Sequence, residues 1–166
     1  TAVLDNFLPA GMISRPAIVS LMTGIFDAKL ELNEREDFWH GTLATTLPNQ
    51  LRKLGYRSIY WYGGNPTYGN FDKYGPAVGF DQVMGATDFC PPDSPRTWVG
   101  IYDHIFLQNA ARLIQEMDDG TPTFHYVYTT SNHGPYKLPL ESLGFDADSV
   151  LKDLPESVTT THKKRE

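Results

Sequence analysis

The sequence predicts an α/β domain, in which helices flank a layered, mostly parallel sheet. Two stretches carry this prediction because each follows a helical pattern with a strand pattern: residues 46–62 and residues 103–129. Helix, turn and buried strand in succession form the unit from which parallel sheets are built. Open sheets of this kind bind ligands at the carboxyl ends of their strands, so we expect a site in the loops that follow the strands.

A helix is predicted within the stretch Gly11–Gly24, with Ser14 at its start and Thr23 and Gly24 at its end. Pro16 suits the first helical position, where no N–H is required. The predicted apolar face consists of Ala17, Ile18, Leu21 and Met22. Unpaired backbone N–H groups at a helix start favour a bound anion, so phosphate or sulfate could be esterified to the Ser14 hydroxyl there. The alternative is that Ser14 is an ordinary N-cap.

The first helix–strand unit comes after a charged stretch. Residues 25–42 carry many charges without an apolar stripe and are expected to form an exposed excursion. A helix should begin near Pro48 and bury Leu51 and Leu54 on one face. Gly55 then ends the helix.

β-Branched and aromatic residues predict a strand at Arg57–Tyr62. The stretch Asn65–Val83, rich in glycine, asparagine and tyrosine, is predicted to be a loop. Aromatic faces with amide donors suit polyols, so this loop could be a sugar-binding platform. The alternative is a turn region whose tyrosines cover the sheet edge.

The second unit begins with a helix at about Asp103–Met117, and the Asp103 carboxylate complements the positive end of the helix dipole. A strand is predicted at Thr123–Thr129. The segment Thr130–Tyr136 places His133 just after this strand. Imidazole can donate to a phosphoryl oxygen or protonate a leaving alkoxide, although a histidine here could also simply cap a turn.

Length and composition limit the classes of function. The 166 residues are predicted to form a single, partial domain over 1–166, with a polar tail at 140–166 and a short helix near Ser149–Leu154 as an option. A net charge of −6 argues against a nucleic-acid partner. The single cysteine, Cys90, rules out an internal disulfide and is interpreted as a structural thiol. No stretch has the apolar length of a membrane span.

Four segments together resemble the lipoteichoic acid synthase-like and sulfatase families of the alkaline phosphatase superfamily. Ser14 and Pro16 match the C/S-x-P start of the sulfatase nucleophile segment, and Gly11-Met12-Ile13-Ser14 resembles the Gly-x-x-Thr of the synthase branch. Residues 47–71 with the following GFD resemble the synthase branch, residues 98–103 resemble its W-G-x-x-D, and residues 131–136 resemble S/T-N-H-x-P-[YF]. The resemblance covers roughly residues 7–139.

The resemblance implies a metal-dependent transferase or hydrolase that takes phosphoglycerol, phosphate or sulfate onto Ser14 and passes it to an alcohol or water. It implies a divalent metal (Mn, Mg, Ca or Zn) on the Ser14 oxygen, with the other ligands outside this chain. The substrate-binding residues that it implies are His133, Asn65, Asn70, Trp98 and Asp103. The expected partner is a phospholipid headgroup or an envelope glycopolymer.

The resemblance also implies that the chain is a fragment of a membrane-anchored parent with an extracytoplasmic catalytic domain, and that the fragment alone is inactive. Two other functions remain open. A sulfuric ester hydrolase is supported by Ser14 and Pro16, but Ile18 stands where such an enzyme has arginine. A non-catalytic module could instead bind sugar or polyanionic polymers through the loop Asn65–Val83.

Overall fold

The computed structural model describes residues 11, 13–26, 28–41, 43–135, 138–146, 149 and 152. The chain divides into two compact units, Thr1–Thr130 and Ser131–Glu166, which are described separately below. Most of the predicted tail from residue 147 onward, including the optional helix near Ser149–Leu154, lies outside the described residues. The prediction of a single domain over 1–166 stays a prediction.

The first unit is built on a parallel sheet of β1 (Arg57–Tyr62), β2 (Gln82–Gly85) and β3 (Thr123–Tyr128), in the order β2–β1–β3. Its helices are α1 (Ser14–Thr23), α2 (Glu36–Trp39), α3 (Leu47–Lys53), α4 (Phe71–Ala77), α5 (Ala86–Phe89) and α6 (Asp103–Glu116). It also contains 3₁₀ turns at Leu32–Glu34 and Tyr68–Asn70, and the second unit contains one at Glu141–Leu143. A parallel sheet flanked by helices confirms the predicted fold class.

The central strand β1 separates two layers of packing. Tyr60 lies opposite Val83 of β2 and Tyr126 of β3. Because successive side chains of a strand point to opposite sides, each face of β1 meets a different set of helices. The front face packs against α1 and α4, with a core of Ile18, Val19, Met22, Tyr60, Tyr62, Phe71, Tyr74, Val78 and Phe80. The back face packs against α5 and α6, with a core of Ile59, Trp61, Ala86, Cys90, Ile101, Phe106 and Ala110.

Helix α1 lies where it was predicted, but two details were wrong. Pro16 is its third residue rather than its first, which is tolerated because N–H groups of the first turn have no partner within the helix. Leu21 is 59% exposed, whereas Val19 and Thr23 are buried. The buried stripe is therefore rotated away from Leu21.

Helix α3 and the excursion before it also differ in part from expectation. Leu54 is 74% exposed and forms the C-cap of α3, so it does not join the core. Gly55 follows with φ of 85°, as the predicted helix end requires. Leu32 and Phe38 pack against the front face, so the excursion is not wholly exposed.

The largest error concerns the predicted loop Asn65–Val83. It contains the turn Tyr68–Asn70, helix α4 and the start of strand β2. Pro76 lies inside α4, and a proline within a helical pattern normally indicates its end. Burial of Phe71 and Tyr74 in the front face stabilises a helix that local propensity does not favour.

Candidate functional site

Ser14 is the first residue of α1 and is exposed to solvent. The N-cap is Ile13, with extended backbone angles and no side-chain capping hydrogen bond, so the interpretation of Ser14 as an N-cap is wrong. The N–H of Ala17 makes an early bond of the helix ladder, to the Ile13 carbonyl at 3.2 Å. A helix start without a side-chain cap keeps backbone donors available for an anion.

Gly11 packs directly against this first turn. A Cβ atom at position 11 would lie 2.6 Å from the backbone nitrogen of Ala17 and 2.9 Å from the carbonyl carbon of Pro16. Both contacts are with backbone, which cannot rotate aside. Glycine three residues before Ser14 is therefore required for the chain to approach the helix start this closely.

A network of side chains joins the start of α1 to the loop after β1. Arg15 Nη1 donates to Glu34 Oε1 at 2.7 Å, and Asn70 Nδ2 donates to Glu34 Oε2 at 2.7 Å. Asn70 was predicted as a substrate-binding residue, and the network places it near the neighbour of Ser14. Sequence reasoning missed Arg15 and Glu34. A positive charge in the first turn of a helix is unfavourable, because it lies near the positive end of the helix dipole. Arg15 was therefore the one sequence signal that an acidic partner lies nearby.

Asn33 extends the same network to the loop backbone. Its Nδ2 donates to Gly69 O and to Glu34 Oε1, each at 3.1 Å. Trp39 Nε1 in turn donates to Asn33 O at 3.1 Å. Asn33 is only 3% exposed, and its hydrogen bonds connect the excursion at residues 25–42 to the loop after β1.

Asn65 shapes the first turn of the loop. Its Oδ1 accepts hydrogen bonds from the N–H and the hydroxyl of Thr67, at 3.0 and 2.9 Å. An asparagine side chain that bonds two residues ahead is a turn-forming element. Its predicted role in substrate binding stays a prediction.

Trp98 lies against the same loop. Its ring meets Tyr68 edge to face, with centroids 6.3 Å apart, and it is 64% exposed. Gly64, at the end of β1, is packed so closely that a Cβ there would lie 2.3 Å from the Val99 carbonyl oxygen. The exposed ring of Trp98 is thus carried on a segment fixed to the carboxyl end of β1.

Asp103 begins α6, as predicted. Its Oδ1 accepts a hydrogen bond from the Thr130 N–H at 2.8 Å. The carboxylate therefore connects the start of α6 to the residues that follow β3, in addition to complementing the helix dipole. This contact supports a structural role, and the predicted contact with substrate stays a prediction.

Burial keeps the Tyr62 and Tyr126 phenols of the front face protonated, because it raises the pKa of each. Burial raises the pKa of Tyr62, and nearby Tyr128 and Tyr68 add to this effect while the positive charge of Arg15 opposes it. Burial and Tyr128 raise the pKa of Tyr126 to about 12. On the back face, burial raises the pKa of the Cys90 thiol, which agrees with its interpretation as a structural residue.

His133 lies in the second unit, where it is exposed. Its Nδ1 lies 2.8 Å from the carbonyl oxygen of Gly134. A carbonyl only accepts hydrogen bonds, so this contact places a proton on Nδ1. The following Gly134–Pro135 peptide bond is cis.

Metal ligands are a separate question. Within the described residues, no group of three or more His, Cys, Asp or Glu side chains is arranged to hold a metal ion. The described side chains therefore do not fit a complete site for the divalent metal that the resemblance implies.

No helix in the described part of the chain is both long and apolar enough to cross a membrane.

Comparisons with known proteins agree with this architecture. A family model described as Sulfatase matches residues 3–147. The lipoteichoic acid synthase LtaP from Listeria monocytogenes is similar in structure with a TM-score of 0.65 and 22% identity, over 84% of this chain and 34% of that chain. A protein in the alkaline phosphatase superfamily from Vibrio parahaemolyticus has a TM-score of 0.61 and 25% identity, over 74% of this chain and 30% of that chain. The chain thus spans about a third of the length of each structure.

Proposed function

Because this chain belongs to the sulfatase family, we propose that it is the nucleophile-bearing part of an enzyme that transfers a phosphoglycerol or phosphoryl group through Ser14. The observation that carries the proposal is the position of Ser14: exposed, first in α1, without a side-chain cap, and next to Arg15. A helix start of this kind, with a guanidinium beside it, favours an anionic phosphoester.

The proposed chemistry has two steps. The Ser14 oxygen attacks phosphorus and loses its proton, the bond from phosphorus to the lipid alcohol breaks, and that alcohol leaves with a proton. An acceptor alcohol or water then attacks phosphorus, the bond from phosphorus to the Ser14 oxygen breaks, and the proton that the acceptor loses restores the Ser14 hydroxyl. We propose that the substrate is bound by His133, Asn65, Asn70, Trp98 and Asp103, and that His133 donates to a phosphoryl oxygen or protonates the leaving alkoxide.

Sulfuric ester hydrolysis has less support. The resemblance places arginine at position 18 in enzymes of that type, where this chain has Ile18. The Ile18 side chain is 5% exposed and packs in the front-face core, so this position faces away from solvent. It cannot offer a charge to a sulfate group.

The same proposal covers the metal ligands, the donor and acceptor substrates, and the location of the enzyme. The chain covers about a third of the matched structures, and we propose that the remainder of a longer protein supplies the metal ligands. LtaP is named as a lipoteichoic acid synthase, which supports a glycerophospholipid donor and an envelope glycopolymer acceptor. An extracytoplasmic catalytic domain on a membrane-anchored parent would meet both substrates.

The test is the mass of the Ser14 peptide from the intact protein after incubation with manganese and a glycerophospholipid. We expect a phosphoglycerol adduct on Ser14, and none in Ser14→Ala. Ser142→Ala is the matched control, because Ser142 is an exposed serine of the second unit, and it should keep the adduct on Ser14. An unmodified Ser14 with every donor and metal would contradict the proposal, and a formylglycine at position 14 would establish the sulfatase instead.

A further inference from the structure

We propose that Glu34 is a positioning residue that holds Arg15, the residue after Ser14, and Asn70 in one fixed arrangement. This inference rests on the proposed function, since it assigns a role within the same site. It is carried by the two carboxylate oxygens of Glu34, which bind different elements: Oε1 accepts from Arg15 Nη1 and Oε2 accepts from Asn70 Nδ2, both at 2.7 Å.

Glu34 gives Arg15 a defined direction. The guanidinium carries several donors on a long side chain that would otherwise sample many rotamers. Bound through Nη1 to Glu34, it is held in place at the start of α1, where a positive charge alone would be unfavourable. Its remaining donors are then held in a constant position on the residue that follows Ser14.

Glu34 also supports an unusual loop conformation. Gly69 and Asn70 both have positive φ, 74° and 56°, and asparagine in this region is strained relative to glycine. Asn33 holds the Gly69 carbonyl, Glu34 holds the Asn70 amide, and the Arg15 Cδ lies 3.1 Å from where a Cβ of Gly69 would be. Loss of Glu34 would free the Asn70 side chain and let the loop relax.

Because the ion pair between Arg15 and Glu34 is exposed, its loss should change the position of Arg15 more than the stability of the fold. The side chains of Arg15 and Glu34 are 40% and 39% exposed. Pairs this exposed contribute little to the free energy of unfolding, because solvent screens them. A change at Glu34 should therefore alter catalysis without an equivalent change in melting temperature.

The test uses Glu34→Gln in the intact protein, with phosphoglycerol transfer from a glycerophospholipid as the activity. We expect kcat/KM to fall by about tenfold or more, mainly in kcat, because small displacements of reacting groups have effects of this size. The melting temperature should stay near that of the wild type. The matched control is Asp37→Asn, which also removes a carboxylate from an exposed arginine pair, Arg35–Asp37 at 2.5 Å, in the same excursion. It should keep wild-type activity.

A rescue variant distinguishes the hydrogen bond from the charge. Glu34→Gln together with Asn70→Asp exchanges donor and acceptor, so the amide can again bond to the carboxylate. We expect the double variant to recover part of the slow hydrogen exchange of residues 67–71 that Glu34→Gln loses, because this measurement does not depend on substrate binding by Asn70. Wild-type activity in Glu34→Gln, or the same loss in Asp37→Asn, would overturn the proposal.

Hydrogen exchange keeps the inference testable if the wild-type protein shows no transfer. We expect the backbone amides of residues 67–71 to exchange faster in Glu34→Gln by about tenfold, and to be unchanged in Asp37→Asn. Unchanged exchange in Glu34→Gln would overturn the role of Glu34. An inactive wild type with this exchange difference would instead refute only the proposed reaction.

Discussion

The two faces of the sheet are built from different residues, and α1, whose first residue is Ser14, packs on the front face. The front face contains a group of aromatic hydroxyls, contributed by Tyr60, Tyr62, Tyr74, Tyr126 and Tyr128. The back face is apolar around Trp61 and Phe106, and its main side-chain hydrogen bond joins Trp61 to His125. The side of the sheet that faces α1 thus carries several tyrosine hydroxyls, whereas the other side packs mainly apolar side chains.

The front face also contains closely packed aromatic rings. Tyr62 stacks on Tyr128 with centroids 5.1 Å apart, and Phe71 meets Tyr62 edge to face at the same separation. Tyr62 and Tyr128 end β1 and β3, and Phe71 directly follows Asn70 at the start of α4. Rigid aromatic packing with defined geometry supports a loop whose own backbone is strained. Changes at Tyr62, Phe71 and Tyr128 should therefore affect the loop that carries Asn70, whereas changes around Trp61 and Phe106 should act mainly on stability.

The largest effect is expected from Gly11→Ala. The new Cβ would meet the backbone of Ala17 at 2.6 Å, so the start of α1 must shift. We expect the rate of Ser14 adduct formation to fall by roughly 100-fold, because misplacement of a nucleophile by about 1 Å has effects of this order. Quantitative mass spectrometry of the Ser14 peptide measures this rate.

Gly41→Ala is the control for Gly11→Ala. A Cβ at Gly41 would come no nearer than 3.5 Å to the Phe38 carbonyl oxygen, which is an ordinary contact. This variant should form the adduct at the wild-type rate. Equal rates in the two variants would show that the close approach at Gly11 does not set the position of Ser14.

The part of the fold that the sequence predicted is the part with strong local patterns. The strand Arg57–Tyr62 ends in four consecutive β-branched or aromatic residues, Ile59–Tyr62, and α6 combines an acidic start with an amphipathic stripe. Strand β2 has four residues and an exposed Gln82, and α4 contains Pro76, so both depend on tertiary packing that no local pattern reveals.

In the candidate site too, the sequence predicted the local features but not the long-range contacts. The position of Ser14 at a helix start follows from local sequence. The bond from Arg15 to Glu34 spans 19 residues, across an excursion that was expected to be exposed. A long-range contact between two surface charges leaves no periodic signal in one sequence. Only the three-dimensional structure brings Glu34 to Asn70.

A smaller effect, of opposite sign, is expected from Tyr60→Phe on the front face. The Tyr60 hydroxyl is buried and has no hydrogen-bond partner in the described part of the chain. Removal of an unsatisfied buried hydroxyl should raise the free energy of unfolding by roughly 1 kcal/mol, as urea denaturation would measure. Tyr74→Phe is the matched control, since it loses the bond from the Tyr74 hydroxyl to Val19 O and should be destabilised. A loss of stability in Tyr60→Phe equal to that in Tyr74→Phe would contradict this assignment.

The smallest effect is expected from pH on the back face. Trp61 Nε1–H donates to His125 Nδ1 at 3.0 Å, which requires that nitrogen to be unprotonated. Burial, with a contribution from the positive charge of Arg57, lowers the pKa of His125 below its ordinary value of 6.5. The unfolded chain therefore takes up a proton before the folded chain does as the pH falls below about 6.5, so the folded state loses stability over that range and regains it as the pH rises.

The His125 contribution can be isolated from that of the carboxylates. Hydrogen bonds from Thr121, with a smaller contribution from the positive charge of Arg57, lower the pKa of Asp119, so its contribution is lost only in more acidic solution, below the ordinary aspartate value of 3.8. We expect a modest fall in the free energy of unfolding between about pH 7.5 and about pH 5, because the His125 ring is partly exposed to solvent. In His125→Gln this difference should shrink, since glutamine does not titrate. A pH dependence in His125→Gln as steep as in the wild type would place the titrating group outside the back face.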